Sequence, residues 1–167
     1  SRTPRAPRAA NHHTAAGLDP AARTIAGSET ITWRNLTSRA AADLQFHLYW
    51  NAWKDTRSTF RCERALSDSR EDRGRRPDEW AYIDIASIAV GGGDRTASKR
   101  FIAPDNDTPD DQKVMSVTLE QPVGPGGTAA IPITWTAHVP RAFPRTGATG
   151  PSYVLPLRCP TIGIRPG

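Results

Sequence analysis

Apolar residues recur at every second position through several stretches of this chain. In Thr24–Asn35 (TIAGSETITWRN), Ile25, Ile31 and Trp33 fall on one face and Thr24, Thr30, Thr32 and Arg34 on the other. That period of two, carried by β-formers, predicts a strand with one wet face. Leu18-Asp19-Pro20 supplies a turn signal before it, so His13–Leu18 and Thr24–Asn35 are expected to form a hairpin. Leu44, Phe46 and Leu48 then alternate with Gln45, His47 and Tyr49 in a third strand. Trp80–Val90 (WAYIDIASIAV) changes phase: Ile83 and Ile85 share one side, Ile88 and Val90 the other. A β-bulge near Ala86-Ser87 would return all four to one face. Val114–Leu119 sets Met115, Val117 and Leu119 against Val114, Ser116 and Thr118. Ala129–Val139 sets Ile131, Ile133, Trp135 and Ala137 against Thr134, Thr136 and His138.

Between these segments lie turn and loop signals. Gly91–Asp94 and Pro122–Gly127 read as turns, Ser67–Glu79 and Ala103–Gln112 as loops, and Phe101-Ile102 as a short apolar patch. Phe60–Leu66 fits either a short strand or a helical turn, and after Pro140 the chain becomes rich in Gly, Pro and Arg and loses its pattern. About seven strands and no amphipathic helix of ordinary length predict an all-β fold. The expected form is a mostly antiparallel β-sandwich or saddle-shaped sheet with long loops. The organisation read from this pattern is a disordered lead-in over 1–10, a single β-domain over 11–164 and a tail over 165–167.

Composition agrees with that picture. A chain of 167 residues suits one domain, and 37% hydrophobic residues with 15 Pro and 13 Gly suit a turn-rich β architecture. No apolar run approaches the roughly 20 residues of a membrane-spanning helix. Ser1–Ala10 has Arg and Pro but no apolar core of a signal peptide, which leaves a signal already removed or a gene product beginning elsewhere. The net charge of +5 comes from 19 Arg and 3 Lys. Basic balance favours nucleic-acid partners, but here the arginines are scattered, and their densest run, Ser69–Arg76 (SREDRGRR), includes Glu71 and Asp72. That mixture reads as a solvated loop, and nucleic acid is not expected as a partner.

Candidate chemistry is sparse. A zinc hydrolase needs two or three His or carboxylate ligands and a general base. The histidines are His12, His13, His47 and His138; none is followed by Glu, so HExxH is absent. His12 and His13 are adjacent and point oppositely on a strand, while His47 and His138 fall on polar faces of separate strands. Asp107, Asp110 and Asp111 lack EF-hand spacing and read as an acidic loop. Gly91–Gly93 lacks the lysine of a phosphate-binding loop and reads as a hairpin turn. No Gly-x-Ser-x-Gly occurs. Cys62 and Cys159 leave open one disulfide or two free thiols, the latter favoured. Asn35-Leu36-Thr37 and Asn106-Asp107-Thr108 fit the glycosylation sequon. Trp33 and Trp135 share faces with Ile and are expected in the core. Tyr49, Trp50 and Trp53 either form an exposed apolar edge that binds a ligand or pack into the core or a domain interface.

The segments TITWRN (Thr30–Asn35) and LQFHLYWNAWK (Leu44–Lys54) together resemble the N-terminal β-domain of aminopeptidase N-like zinc metallopeptidases of the HExxH type. Leu18–Asn35, Ser58–Leu66, Trp80–Ile88 and Ile133–Gly147 add to the likeness, which spans Asn11–Ile164. The resemblance implies a largely antiparallel β-domain flanking a thermolysin-like catalytic domain. It also implies a chain that stops before HExxH and the GxMEN-type loop and is inactive alone. Zinc is then a cofactor of the full-length enzyme and not of this chain, the partner is the missing catalytic domain, and peptide is that enzyme's substrate. A bacterial periplasmic or membrane-associated enzyme is implied ahead of a cytoplasmic one. An apolar face, bare without the catalytic domain, is expected. The tail Ser152–Ile164 resembles the segment this family sends to its active site. Tyr153, Pro160, Ile162 and Gly163 match it, but Leu157 stands where the amine-binding Gln is expected, and a Leu side chain has no acceptor for an ammonium group. The alternative is a stand-alone β-sandwich that binds a protein or ligand.

Overall fold

The computed structural model describes residues 8–54, 80–103, 112–140, 147–149, 152–154 and 159–163. Alternation dominates its local structure. The strands in chain order are β1 (Ala10–Asp19), β2 (Thr24–Arg34), β3 (Ala41–His47), β4 (Tyr82–Val90), β5 (Gly93–Asp94), β6 (Lys99–Ile102), β7 (Val114–Val123), β8 (Thr128–His138), β9 (Gly147–Thr149), β10 (Ser152–Val154) and β11 (Thr161–Gly163). The chain is all-β and antiparallel: a five-stranded sheet in the order β1-β2-β8-β4-β5, a four-stranded sheet in the order β11-β3-β7-β6, and a small β9-β10 pair. Among the described residues there are two 3-10 turns, Tyr49–Trp53 and Thr96–Ser98, and no helix long and apolar enough to cross a membrane.

The two sheets pack their apolar faces into one core. Ile25, Ile31 and Trp33 of β2, Ile83, Ile85 and Ile88 of β4, and Ile131, Ile133 and Trp135 of β8 come from the larger sheet. Leu44 and Phe46 of β3 and Met115, Val117 and Leu119 of β7 come from the smaller one. These are the inward faces that the alternation predicts. Burial of each such side chain contributes about 1.5–3 kcal/mol relative to exposure, which fixes the register of these five strands. The two sheets meeting over a shared core make the fold sandwich-like.

Local punctuation works as the residues dictate. β1 and β2 form the expected hairpin, with Asp19 Oδ1 accepting the N–H groups of Ala21 (2.9 Å) and Ala22 (3.0 Å) in the turn. β1 begins at Ala10, earlier than the pattern near His13 suggests, because pairing with β2 extends it as far as Ala10↔Trp33. The bulge falls where the phase change requires it: β4 pairs Ile85↔Trp135 and then Ser87↔Thr134, leaving Ala86 unpaired and turning Ile88 back to the core. Gly91 (φ 61) and Gly92 (φ 84) form the two-residue hairpin loop between β4 and β5, a left-handed conformation suited to glycine. Pro132 lies within the central strand β8, and the β4–β8 ladder ends beside it at Ile88↔Ile133 because proline has no N–H to donate.

Three differences from the sequence pattern stand out. β7 runs to Val123 rather than ending at Leu119, with an irregularity opposite Ala41/Asp43. The Phe101-Ile102 patch belongs to the longer β6. The patternless region after Pro140 contains three short strands, of which β11 pairs with β3 through Ile162↔Phe46. The ambiguous 60–66 segment, the 67–79 loop and the aspartates at 107, 110 and 111 lie outside the described residues.

Candidate functional site

The inward face of β2 carries one residue that breaks its apolar run. The five inward positions are Ile25, Gly27, Glu29, Ile31 and Trp33. Glu29 is only 2% exposed. Its Oε1 lies 2.7 Å from His12 Nδ1 and accepts the Thr14 hydroxyl at 3.3 Å, both from the facing strand β1. Its Oε2 is buried and makes no hydrogen bond within the protein. Gly27, the next inward position, lies under the Trp135 indole: a Cβ there would stand 2.5 Å from Trp135 Cε2. The small residue therefore makes room for the ring, and the ring closes over the strand beside the carboxylate.

Cys159 belongs to the same neighbourhood. It is a free, half-buried cysteine just before β11. Desolvation pushes its thiol above the ordinary range, a hydrogen bond with Thr14 opposes this, and the charge of Glu29 reinforces it. His12, Thr14, Glu29 and Cys159 thus form one polar cluster where the β1 side of the large sheet meets the entry to β11. A thiol with a raised pKa is a poor nucleophile at neutral pH, so the arrangement favours a resting, protonated sulfur. Pattern reasoning passed over Glu29, yet the signal was present: it occupies an inward position of the strand that holds Ile25, Ile31 and Trp33.

The aromatic segment after β3 divides. Trp50 is buried in the core and is thereby withdrawn from any exposed edge. Tyr49 and Trp53 are half-buried and meet edge-on, with ring centroids 4.9 Å apart at 65°; His47 lies 5.9 Å from Tyr49. The 3-10 turn that holds them is pinned by Asn51, which is 1% exposed. Its Oδ1 accepts the Ile83 N–H at 2.9 Å and its Nδ2 donates to the Gln112 carbonyl at 3.0 Å. A surface of Tyr49, Trp53 and His47 therefore stands on a fixed support.

The tail residues are separated. Tyr153 lies in β10, Pro160 is buried, Gly163 pairs with Gln45 through β11, and Leu157 lies outside the described residues. The remaining histidines are spoken for differently. His138 places Nδ1 2.7 Å from the Trp80 carbonyl and stacks on Tyr82 at 5.5 Å and 8°, while His13 is exposed on the face of β1 opposite His12. Among the described residues no three His, Cys, Asp or Glu side chains are grouped to hold a metal ion.

Fold and sites together define an antiparallel, two-sheet β protein with a buried carboxylate cluster at one sheet margin and a supported aromatic surface beside β3. No family model matches the chain, and no curated protein does.

Proposed function

We propose that this chain is the non-catalytic N-terminal β-domain of an aminopeptidase-like zinc metallopeptidase, serving as scaffold and wall of the substrate cleft. Its partner is then the catalytic domain of the same polypeptide, which supplies zinc and the general base for peptide hydrolysis. The supporting observation is that the two segments carrying the resemblance are built elements of an all-β sandwich. TITWRN ends β2, and LQFHLYWNAWK makes β3 and the 3-10 turn, with Trp33, Leu44, Phe46, Leu48 and Trp50 all in the core. The absence of HExxH from the sequence makes the isolated chain inactive in this reading. The test is the reading frame beyond Gly167. An HExxH within a few hundred codons supports the proposal; a frame that closes without one, or amino-acid arylamide hydrolysis by the purified chain, overturns it.

A second reading, a stand-alone β-sandwich binding module, is favoured by a specific observation. The exposed large hydrophobics among the described residues are Leu18, Leu36 and Phe101, on β1, the β2–β3 connection and β6. Leu18 and Leu36 sit at opposite ends of β2, so these side chains do not make the broad bare face that a missing catalytic domain implies. In this reading Tyr49 and Trp53 form the contact surface. A ligand that quenches tryptophan fluorescence in the parent chain and not in Trp53→Ala would support it.

A further inference from the structure

At one end of the sandwich the two sheets part. β4 and β8 pair as far as Ile88↔Ile133, and beyond Pro132 the chain of β4 turns away at Gly91 and Gly92. Asn35 N–H donates to the Gly127 carbonyl at 2.9 Å, so odd-numbered residues at the start of β8 direct their backbone groups to β2. Antiparallel geometry directs those of Thr128 and Ala130 the other way, toward the side that β4 has left. Gly91 N–H reaches the Ala130 carbonyl at 3.4 Å, but the N–H groups of Ala130 and Thr128 have no backbone acceptor among the described residues. Both residues line a cleft of about 610 Å³ between the β4–β5 turn, the last residues of β7 and the first of β8. Described residues alone form its walls.

The floor of the cleft is apolar. Leu119 and Ala129 are buried there at the end of the core, and half-buried Val90 and Val123 pack against it. The rim carries Arg95, whose Nη2 donates to Glu120 Oε2. That pair is lopsided: the Arg95 side chain is 21% exposed and the Glu120 side chain 71%. An ion pair with one arm in solvent contributes little, so an incoming anion displaces Glu120 and leaves the guanidinium where it is. We propose that this cleft binds a small amphipathic carboxylate. Its anion is held by Arg95 and the N–H groups of Thr128 and Ala130, and its apolar part lies on Leu119, Ala129, Val90 and Val123. The volume falls within the roughly 300–1,000 Å³ of small-molecule sites. Charge complementarity selects the sign of the ligand. A guanidinium and two unpaired N–H groups line the cleft, their bonds to an anion are the strong kind, and the chain carries a net charge of +5. An alcohol of the same length lacks the charge, and an amine is repelled by Arg95.

The test uses octanoate, titrated into isotope-labelled parent chain and followed by backbone amide chemical shifts. Saturable shifts are expected at Gly91, Thr128 and Ala130. Octanol and octylammonium should bind roughly tenfold more weakly or worse, as should octanoate to Arg95→Gln, since each loses a charge-assisted hydrogen bond. Glu120→Gln gives the opposite sign and alters only an exposed side chain, so it keeps the fold. Removing the competing carboxylate should tighten octanoate binding about threefold. Asp84→Asn removes the same charge from an exposed position outside the cleft and should leave the affinity unchanged. The proposal is overturned by any of three results: no shift at Thr128 and Ala130 in millimolar octanoate, octylammonium moving those amides as readily as octanoate, or Glu120→Gln binding no tighter than Asp84→Asn.

Discussion

His12 Nδ1 and Glu29 Oε1 lie 2.7 Å apart, joining an edge strand to a carboxylate that is sealed inside the larger sheet. The His12 side chain keeps about a third of its exposure, whereas the Glu29 side chain has none. Removing only the partner leaves a buried oxygen with the longer Thr14 bond as its remaining contact. His12→Ala is therefore expected to cost about 1–3 kcal/mol, read as a fall in the urea midpoint. Replacing the buried acid as well should reverse much of that loss, because an apolar side chain of similar volume carries no desolvation cost. If His12→Ala/Glu29→Leu is less stable than His12→Ala alone, Glu29 contributes to stability beyond its pairing with His12.

Gly27 is expected to tolerate no side chain. A Cβ at that position would stand 2.5 Å from Trp135 Cε2, in an indole that belongs to the central strand and has the rest of the core behind it. Gly27→Ala should destabilise the fold by about 1–3 kcal/mol through overpacking. The signature is a shifted Trp emission maximum together with a lower thermal midpoint. An unchanged midpoint would mean that the ring moves aside freely.

Asn35 heads a sequon that the folded chain closes. It is fully buried, and its Nδ2 donates to the carbonyls of Arg39 (2.7 Å) and Val123 (2.9 Å). Its Oδ1 accepts the Thr37 N–H (3.0 Å) and the Thr37 hydroxyl (2.8 Å). With every polar atom of the amide engaged, Asn35→Ala should cost about 2–4 kcal/mol at roughly 1 kcal/mol per bond. The folded protein incubated with an N-glycosylating extract should acquire no glycan at this site, measured by peptide mapping. Quantitative modification of folded protein would contradict the arrangement.

Cys159 should react slowly. Burial raises its pKa, a hydrogen bond with Thr14 partly offsets that, and Glu29 adds to the rise. Thiolate is the reactive form, so a raised pKa lowers the rate at neutral pH. In Cys62→Ser, iodoacetamide should label Cys159 roughly threefold or more slowly than a model cysteine peptide at pH 8, the gap narrowing as pH rises. Linkage has the same sign. The unfolded chain ionises first, so the contribution to stability is intact below the ordinary thiol range and is lost as pH rises through the raised folded value. Labelling at the peptide's rate would show the sulfur to be exposed.

Much of the fold is legible in short stretches of text. The faces of β2, β3, β7 and β8 and the bulge at Ala86 follow from alternation, because a strand places successive side chains on opposite sides and only one side is dry, and the β1–β2 hairpin follows from the Asp19-Pro20 turn signal. The short strands β9 to β11 are not legible: three residues carry no periodicity. Trp50 and Trp53 looked alike in the text, yet Asn51 ties the turn to β4 in a way that sends Trp50 inward and leaves Trp53 half outside. Glu29 was readable as an inward position, but its partners His12 and Thr14 depend on the register between two strands.

The sequence by itself determined which side of each long strand is apolar and where the chain must turn, since both depend on the steric and hydration preferences of neighbouring residues. Only the tertiary structure decided that β8 sits between β2 and β4 while β3 and β7 build the opposing sheet, and that Cys159 reaches Thr14 and Glu29 from the far end of the chain. Those pairings join residues distant along the chain, and they are selected by how whole apolar faces fit and by which backbone edges remain to be paired, quantities that no single segment contains.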